Sequence, residues 1–187
     1  MLKKFVLGGM TALVLAACGG EGGSASSSAP AESANASGSL IERINNKGTI
    51  TVGTEGTYAP FTYHDKDGKL TGYDVEVTRA VADKLGVKVE FKETQWDSMM
   101  AGLKAGRFDV VANQVGLTSP ERQATFDKSE PYSWSGAVLV ARKDSNIKSI
   151  DDIKGVKTAQ SLTSNYGEKA KAAGAELVPV DGLAQSL

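Results

Sequence analysis

Segments with a helical apolar pattern alternate with strand-like segments from residue 40 to the last residue of the chain. Val77, Val81 and Leu85 recur at helical spacing. Short apolar runs at residues 49–54 and 87–91 flank that helix and have the length of buried strands. Because helices that alternate with strands connect parallel neighbours in a sheet, this pattern predicts an α/β fold.

The same two patterns assign the remaining elements. A hairpin is predicted at residues 61–71, because Asp67-Gly68 is a turn sequence between two strand-like runs. Helices are predicted at residues 40–44, 96–103, 150–153 and 165–173 and from residue 183, and strands at residues 110–112, 137–141, 157–159 and 176–180. The alternation thus repeats beyond residue 136.

The first residues of the chain have the pattern of an export signal, residues 1–17. Lys3 and Lys4 precede an apolar stretch at residues 5–15, which is too short to span a bilayer. A short buried helix is the alternative reading. The following segment, residues 18–39, offers such a helix nothing to pack against, since 17 of its 22 residues are Gly, Ala or Ser. That composition predicts a flexible tether.

Composition excludes several classes of site. The chain has one cysteine, Cys18, and one histidine, His64, which excludes an internal disulfide and a zinc site of His and Cys ligands. Lys and Arg total 21 against 22 Asp and Glu, so there is no basic excess for nucleic acid. No catalytic triad pattern and no Gly-rich phosphate loop is evident. We therefore expect no metal, no cofactor and no enzyme active site.

Leu15-Ala16-Ala17-Cys18 resembles the lipobox of bacterial lipoproteins. The resemblance implies that the signal is cut before Cys18, that the Cys18 sulfur receives a diacylglycerol and that the new N-terminus is acylated. Two or more acyl chains hold a protein on a membrane lastingly. The mature chain is therefore expected in the cell envelope, on the periplasmic side, anchored by lipid.

A longer motif resembles the signature of the family 3 solute-binding proteins, the polar amino-acid receptors of bacterial ABC importers. It runs Gly72-Tyr73-Asp74-Val75-Glu76-Val77, then Val81-Ala82, then Leu85. Further landmarks of the family match at residues 58–61, 96–97, 106–109, 118–122, 126 and 131–132. Residues 113–116, Asn-Gln-Val-Gly, resemble the cystine-binding branch, which implies L-cystine or L-cysteine as the ligand.

Members of this family have the periplasmic binding protein-like fold of type II, two α/β lobes that a two-strand hinge joins. The resemblance implies that residues 40–136 form lobe 1, that residues 137–143 form a hinge strand and that residues 144–187 belong to lobe 2. In the family, lobe 1 is completed after lobe 2. We therefore expect lobe 2 to be incomplete in this chain.

Burying a free amino acid requires a partner for its carboxylate and another for its ammonium group. Arg122 resembles the family arginine that grips the carboxylate with its planar guanidinium, and a solvated turn arginine is the alternative. Ser161 and Thr163 resemble positions whose hydroxyl and N–H groups meet the same carboxylate at a helix N-terminus. Both could equally be N-caps.

Tyr58 and Trp96 resemble the aromatic residues that sandwich the side chain of the ligand. Trp96 also begins an apolar helical stripe and could belong to the core. Glu55 matches a polar position that contacts the ligand in some members, and its carboxylate could bind an ammonium group. A solvated loop glutamate is the alternative.

Asn113, Gln114 and Gly116 follow the strand predicted at residues 110–112. They therefore lie at the carboxyl edge of the sheet, where open α/β sheets bind their ligands. Gln114 and the Gly116 amide are the candidate partners of the ammonium and carboxylate groups.

The resemblance implies a lipid-anchored monomer that captures an amino acid between two lobes and delivers it to an ABC permease in the membrane. Bonds that the ligand makes to both lobes at once would favour closure. Two other classes remain open. A periplasmic dehydratase of cyclohexadienyl acids would need a general acid, for which Glu55 is the candidate. A ligand-sensing module would need a transmembrane helix.

Overall fold

The computed structural model describes residues 38–187, so the predicted export signal, Cys18 with its lipobox and most of the predicted tether lie outside the described residues. The elements in chain order are α1 (Leu40–Lys47), β1 (Thr49–Thr54), β2 (Thr57–Tyr58), β3 (Thr62–His64), β4 (Leu70–Thr71), α2 (Tyr73–Leu85), β5 (Lys88–Glu93), α3 (Trp96–Lys104), β6 (Val110–Val111), α4 (Pro120–Thr125), a 3₁₀ helix (Ile150–Ile153), β7 (Lys157–Gln160), α5 (Asn165–Ala172), β8 (Glu176–Pro179) and α6 (Leu183–Ser186). None of the helices within residues 38–187 is long and apolar enough to cross a membrane.

Three parallel strands form the first sheet, with β1 between β5 and β6. The helices α1, α2 and α3 pack against this sheet, and the core lies between them. Val52 at the centre of β1 is fully buried, and Ile44, Ala82 and Ala112 belong to the same apolar cluster. The structure confirms the predicted α/β fold and the parallel sheet.

A small antiparallel sheet, in the order β2-β3-β4, stands beside the first. Its turn is held by Asp65, whose Oδ1 atom accepts hydrogen bonds of 2.9 Å from the N–H groups of Asp67 and Lys69. The predicted hairpin is confirmed. The strand β2, which was not predicted from the sequence, places Tyr58 at the edge of this sheet.

The strands β7 and β8 form a third, two-stranded parallel sheet, with α5 and α6 packed against it. Ile153 from the 3₁₀ helix and Ala170 from α5 are buried. The helices and strands predicted between residues 150 and 187 are confirmed. The lobe boundaries derived from the family resemblance remain predictions.

The strand predicted at residues 137–141, within the proposed hinge strand, is wrong. This segment has no regular secondary structure, and Val138 and Val140 are 86% and 72% exposed. A strand is stable only where a neighbour pairs with its N–H and C=O groups. In the part of the chain that the structure describes, no strand pairs with this segment. Its apolar composition is therefore insufficient to make it a strand.

The first sheet leaves no room for a side chain at Gly53. A Cβ atom there would lie 2.7 Å from the ring of Phe108, which is itself buried. We predict that Gly53→Ala lowers the free energy of unfolding by about 1–3 kcal/mol, because a close-packed interior resists added atoms. Urea unfolding followed by circular dichroism measures the change. Gly136→Ala, whose Cβ meets no neighbour, is the matched control, and equal stability of the two variants would contradict this packing.

Candidate functional site

A cavity of about 620 Å³ lies at the carboxyl ends of the parallel strands. Its lining includes residues that follow each of the five parallel strands of the two sheets. Of the nine ligand-binding residues that the sequence predicts, seven line it, namely Glu55, Tyr58, Trp96, Asn113, Gln114, Gly116 and Ser161. The cavity thus lies where open α/β sheets bind small molecules.

The carboxylate of Glu55 is held in the cavity wall by Asn113. Asn113 is buried, and its Nδ2 atom donates a 2.8 Å hydrogen bond to Glu55 Oε2 while its Oδ1 atom accepts one of 2.8 Å from the Glu55 N–H. The hydroxyl of Thr54 lies 3.2 Å from the same Oδ1 atom. Asn113 therefore fixes the position of Glu55, a role that the resemblance did not suggest.

Burial raises the pKa of the Glu55 carboxyl above its ordinary value. The hydrogen bond from Asn113 opposes this shift, and the nearby Asp97 carboxylate adds to it. No ion pair within residues 38–187 includes Glu55. Glu55 thus presents a partly desolvated carboxylate to the cavity, which suits a cationic ligand group.

Gln114 is fixed by Asp74, the aspartate of the family signature. Asp74 is fully buried, and its two carboxylate oxygens accept hydrogen bonds from the Gln114 N–H at 2.7 Å and from its Nε2 atom at 2.5 Å. Gln114 has a φ of +51°, the only positive φ of a non-glycine residue within the described range. That backbone conformation is strained for most residues. The two hydrogen bonds to Asp74 hold Gln114 in it.

The side-chain oxygen of Gln114 contacts the segment at residues 132–133, which follows α4. The Ser133 hydroxyl donates a 3.0 Å hydrogen bond to Gln114 Oε1. Tyr132 lies beside Asp74, and burial together with the Asp74 carboxylate raises the pKa of the Tyr132 hydroxyl. Burial likewise raises the pKa of Asp74, against the opposing hydrogen bonds from Gln114. The network connects α2, the end of β6 and the 132–133 segment.

Arg122 does not line the cavity. It is carried by α4, which the sequence analysis did not predict and which begins after the capping hydroxyl of Ser119. Its guanidinium donates to the backbone oxygens of Gly116, at 3.0 Å, and Thr163, at 2.7 Å, and lies 5.5 Å from the Trp96 ring centroid. These two bonds use two of the five N–H donors of the guanidinium.

Thr163 also lies outside the cavity lining, and its donors are already paired. Its N–H and hydroxyl groups donate to Asp97 Oδ1, at 2.9 and 2.8 Å. Ser161 does line the cavity, and the N-cap of α5 is Ser164, not either predicted residue. The alternative reading of Ser161 and Thr163 as N-caps is therefore wrong for both.

Several residues of the site were not chosen from the sequence. Asp74 and Asp97 belong to the family motifs. Their contacts with Gln114 and Thr163 are made between residues far apart in sequence, so only the fold shows their roles. Lys128 and Lys169 line the cavity and were assigned no binding role. Within residues 38–187 no group of three His, Cys, Asp or Glu side chains could hold a metal ion.

The family model of the bacterial extracellular solute-binding proteins, family 3, matches residues 50–178. The chain belongs to this family. A probable amino-acid ABC transporter-binding protein of Haemophilus influenzae is 62% identical over 151 residues, which cover 80% of this chain and 58% of that protein. The L-cystine-binding protein TcyA of Bacillus subtilis is 61% identical over 152 residues, covering 80% and 56%. The chain thus spans a little over half the length of these relatives.

Solved structures of the family share the α/β fold of type II periplasmic binding proteins. The L-cystine solute receptor of Neisseria gonorrhoeae, in its unliganded open conformation, is 96% identical, with a TM-score of 0.51, over 80% of this chain and 63% of that one. The ancestral amino acid-binding protein AncCDT-1, a precursor of cyclohexadienyl dehydratase, is 36% identical, with a TM-score of 0.73, over 79% and 67%. The gonococcal receptor, although nearly identical in sequence, thus differs more in conformation from this chain than AncCDT-1 does.

Asp74 is predicted to stabilise this solute-binding protein through Gln114. Asp74→Asn replaces one acceptor oxygen by an NH₂ group, so that one of the two Gln114 donors faces another donor. We expect the free energy of unfolding to fall by about 2–3 kcal/mol, since the site is fully buried. Urea unfolding measures this, with the exposed Asp83→Asn on α2 as control. Faster hydrogen exchange at the Gln114 amide is the local sign, and unchanged exchange would contradict the assigned role.

Glu55 is predicted to make stability pH-dependent. Because the pKa of Glu55 is raised on folding, the folded chain binds a proton more strongly than the unfolded chain, and stability is lost as the pH rises through the raised pKa. Glu55→Gln escapes this loss. Near pH 7 the variant should have a higher thermal midpoint than the wild type, and near pH 4 the two midpoints should be equal. The difference in the free energy of unfolding near pH 7 should be less than about 1 kcal/mol, because partial exposure screens the charge. Calorimetry across this range checks it, and a difference that grows on acidification would refute it.

Proposed function

We propose that this chain is the ligand-binding part of an amino-acid ABC importer and that it takes L-cystine or L-cysteine into the cavity. The observation that carries the proposal is the cavity itself, which combines a desolvated carboxylate, two aromatic rings and a strained, hydrogen-bonded strand end. The names of the relatives support the choice of ligand, since TcyA and the gonococcal receptor are named for L-cystine.

The ammonium group of the ligand is assigned to Glu55. Its carboxylate has no cationic partner in the described part of the chain, and Asn113 keeps it facing the cavity. An incoming ammonium group would offset the desolvation that raises the pKa of Glu55. Cystine has two ammonium groups, so Glu55 could serve either end of it.

The carboxylate of the ligand is assigned to the margin of the cavity between Gly116 and Thr163. Arg122 bridges the backbone oxygens of these two residues and retains N–H donors for a carboxylate. Ser161, on the cavity wall, adds a hydroxyl group. Tyr58 and Trp96 provide the apolar walls for the side chain of the ligand, and Asn113, Gln114 and the Gly116 amide complete the site.

The proposed ligand contacts both groups of elements, those before and those after residue 136. We assign residues 40–136 to lobe 1, residues 137–143 to the hinge and residues 144–187 to lobe 2. A ligand bound to both lobes favours their closed arrangement, because it makes the full set of bonds only there. The bound form would then be delivered to an ABC permease in the membrane.

We also propose a location for the protein in the cell envelope. Residues 1–17 would be removed as an export signal, and lipid on Cys18 would hold the mature monomer to a membrane of the cell envelope through the tether at residues 18–39. The family is one of extracellular solute-binding proteins, which is consistent with that location. Incorporation of labelled palmitate that Cys18→Ala abolishes would test the anchor.

A dehydratase of cyclohexadienyl acids is the second candidate, favoured by the similarity to AncCDT-1. Burial raises the pKa of Glu55, which is the direction that suits a general acid. Incubation with prephenate and detection of phenylpyruvate would identify this activity. Binding of cystine without any turnover of prephenate would exclude it.

L-cystine is predicted to raise the thermal midpoint of the chain, because a ligand that binds the folded state stabilises it. Isothermal titration should give a Kd that Glu55→Gln weakens by about 10–100-fold, the loss expected when a charged hydrogen-bond partner is removed. Asp83→Asn is the control for a carboxylate outside the cavity. The absence of any midpoint shift with cystine, cysteine, glutamine or histidine would refute the proposed function.

A further inference from the structure

The carboxylate of Asp97 binds residues 162–163, the loop that we assign to the ligand carboxylate. Asp97 lies in the first turn of α3, and its Oδ1 atom accepts from the N–H and the hydroxyl of Thr163, at 2.9 and 2.8 Å. Its Oδ2 atom accepts from the N–H of Leu162 at 3.2 Å. Two backbone N–H groups and a hydroxyl thus converge on one carboxylate, just before α5.

This contact joins parts of the chain that are 65 and 66 residues apart. The contact lies at the margin of the cavity. Trp96, which precedes Asp97, and Ser161, which precedes Leu162, both line the cavity wall. Arg122 holds the same loop from another side through the Thr163 backbone oxygen. The loop therefore keeps one anchor when Asp97 leaves it.

The N–H and the hydroxyl of Thr163 carry one hydrogen each, and both are donated to Asp97. A ligand carboxylate can receive them only after Asp97 has released them. The exchange replaces one carboxylate by another on the same donors, so that the hydrogen bonds lost to Asp97 are regained. A ligand without a carboxylate cannot regain charge-assisted bonds of this strength.

We propose that Asp97 is an internal competitor for the ligand carboxylate, which occupies the donors of the 162–163 loop and is displaced from them only by a ligand that brings its own carboxylate. This rests on the proposed function, because it needs Thr163 as a partner of the ligand carboxylate. Asp97 therefore lowers the affinity for ligands that bring a carboxylate, because they must displace it, and has little effect on ligands that do not use these donors. Two carboxylates, that of Asp97 and that of the ligand, thus compete for the same hydrogen-bond donors, and this competition lowers the affinity for the ligand.

Removing the competitor should tighten binding. Isothermal titration of the whole chain with L-cystine is expected to give a Kd about tenfold lower for Asp97→Ala than for the wild type, the ratio that corresponds to 1.4 kcal/mol. Asp97→Asn keeps one acceptor oxygen but loses the charge, so its Kd should lie between the two. Asp83→Ala removes an exposed carboxylate from α2 and should leave the Kd unchanged.

A second ligand separates competition from a general change in the site. The bis-amide of L-cystine has no carboxylate, so it should gain far less affinity from Asp97→Ala than L-cystine gains. Thermal unfolding of each variant without ligand verifies that the chain remains folded. The ratio of the two affinities is the readout that a merely structural role of Asp97 would leave unchanged.

Unchanged or weaker binding of L-cystine by Asp97→Ala, with wild-type binding intact, would overturn the proposal while leaving the proposed function standing. An equal gain for L-cystine and its bis-amide would overturn it as well, because the gain would not depend on the carboxylate. Failure of the wild type and of both variants to bind either ligand would instead refute the proposed function, and the competition with it.

Discussion

The cavity depends on two consecutive residues at the end of β6, Asn113 and Gln114, whose side chains are fixed by different parts of the fold. Asn113 binds both the backbone and the carboxylate of Glu55 after β1, and Gln114 is bound twice by Asp74 at the start of α2. Buried polar groups must be paired, so each bond restricts the alternatives of the next. These hydrogen bonds therefore fix the part of the cavity wall that Glu55, Asn113 and Gln114 form.

The same network concentrates negative charge at the site. Burial raises the pKa of both Glu55 and Asp74, and Asp97 adds a third carboxylate close enough to raise the pKa of Glu55 further. Carboxyls with raised pKa values make the folded state less stable when they are ionised at neutral pH than when the same groups are protonated. A cationic group that enters the cavity removes part of this cost, so the instability of the empty site contributes to binding.

Local patterns predicted most of the fold, and tertiary contacts explain where they failed. The bounds of β1 and the helical spacing of α2 followed from apolar residues, because both depend on neighbours in sequence. Residues 137–141 have the composition of a strand, yet pairing needs a neighbour that no local pattern shows. Seven of the nine predicted site residues line one cavity, but the family motif supplied that set, and their roles there remain predictions. The bond between Asp97 and Thr163 joins residues too far apart in sequence for either to indicate the other.

The donors of the 162–163 loop show why a motif identifies a binding position but not its occupant. Backbone N–H groups before a helix bind any carboxylate, whether it belongs to a ligand or to the protein. Water could satisfy these exposed donors if the loop stood away from α3. With Asp97 in place, they are satisfied by the protein itself while the loop lies against α3. The affinity of the site is then set by the difference between two carboxylates on the same donors, and not by the strength of either.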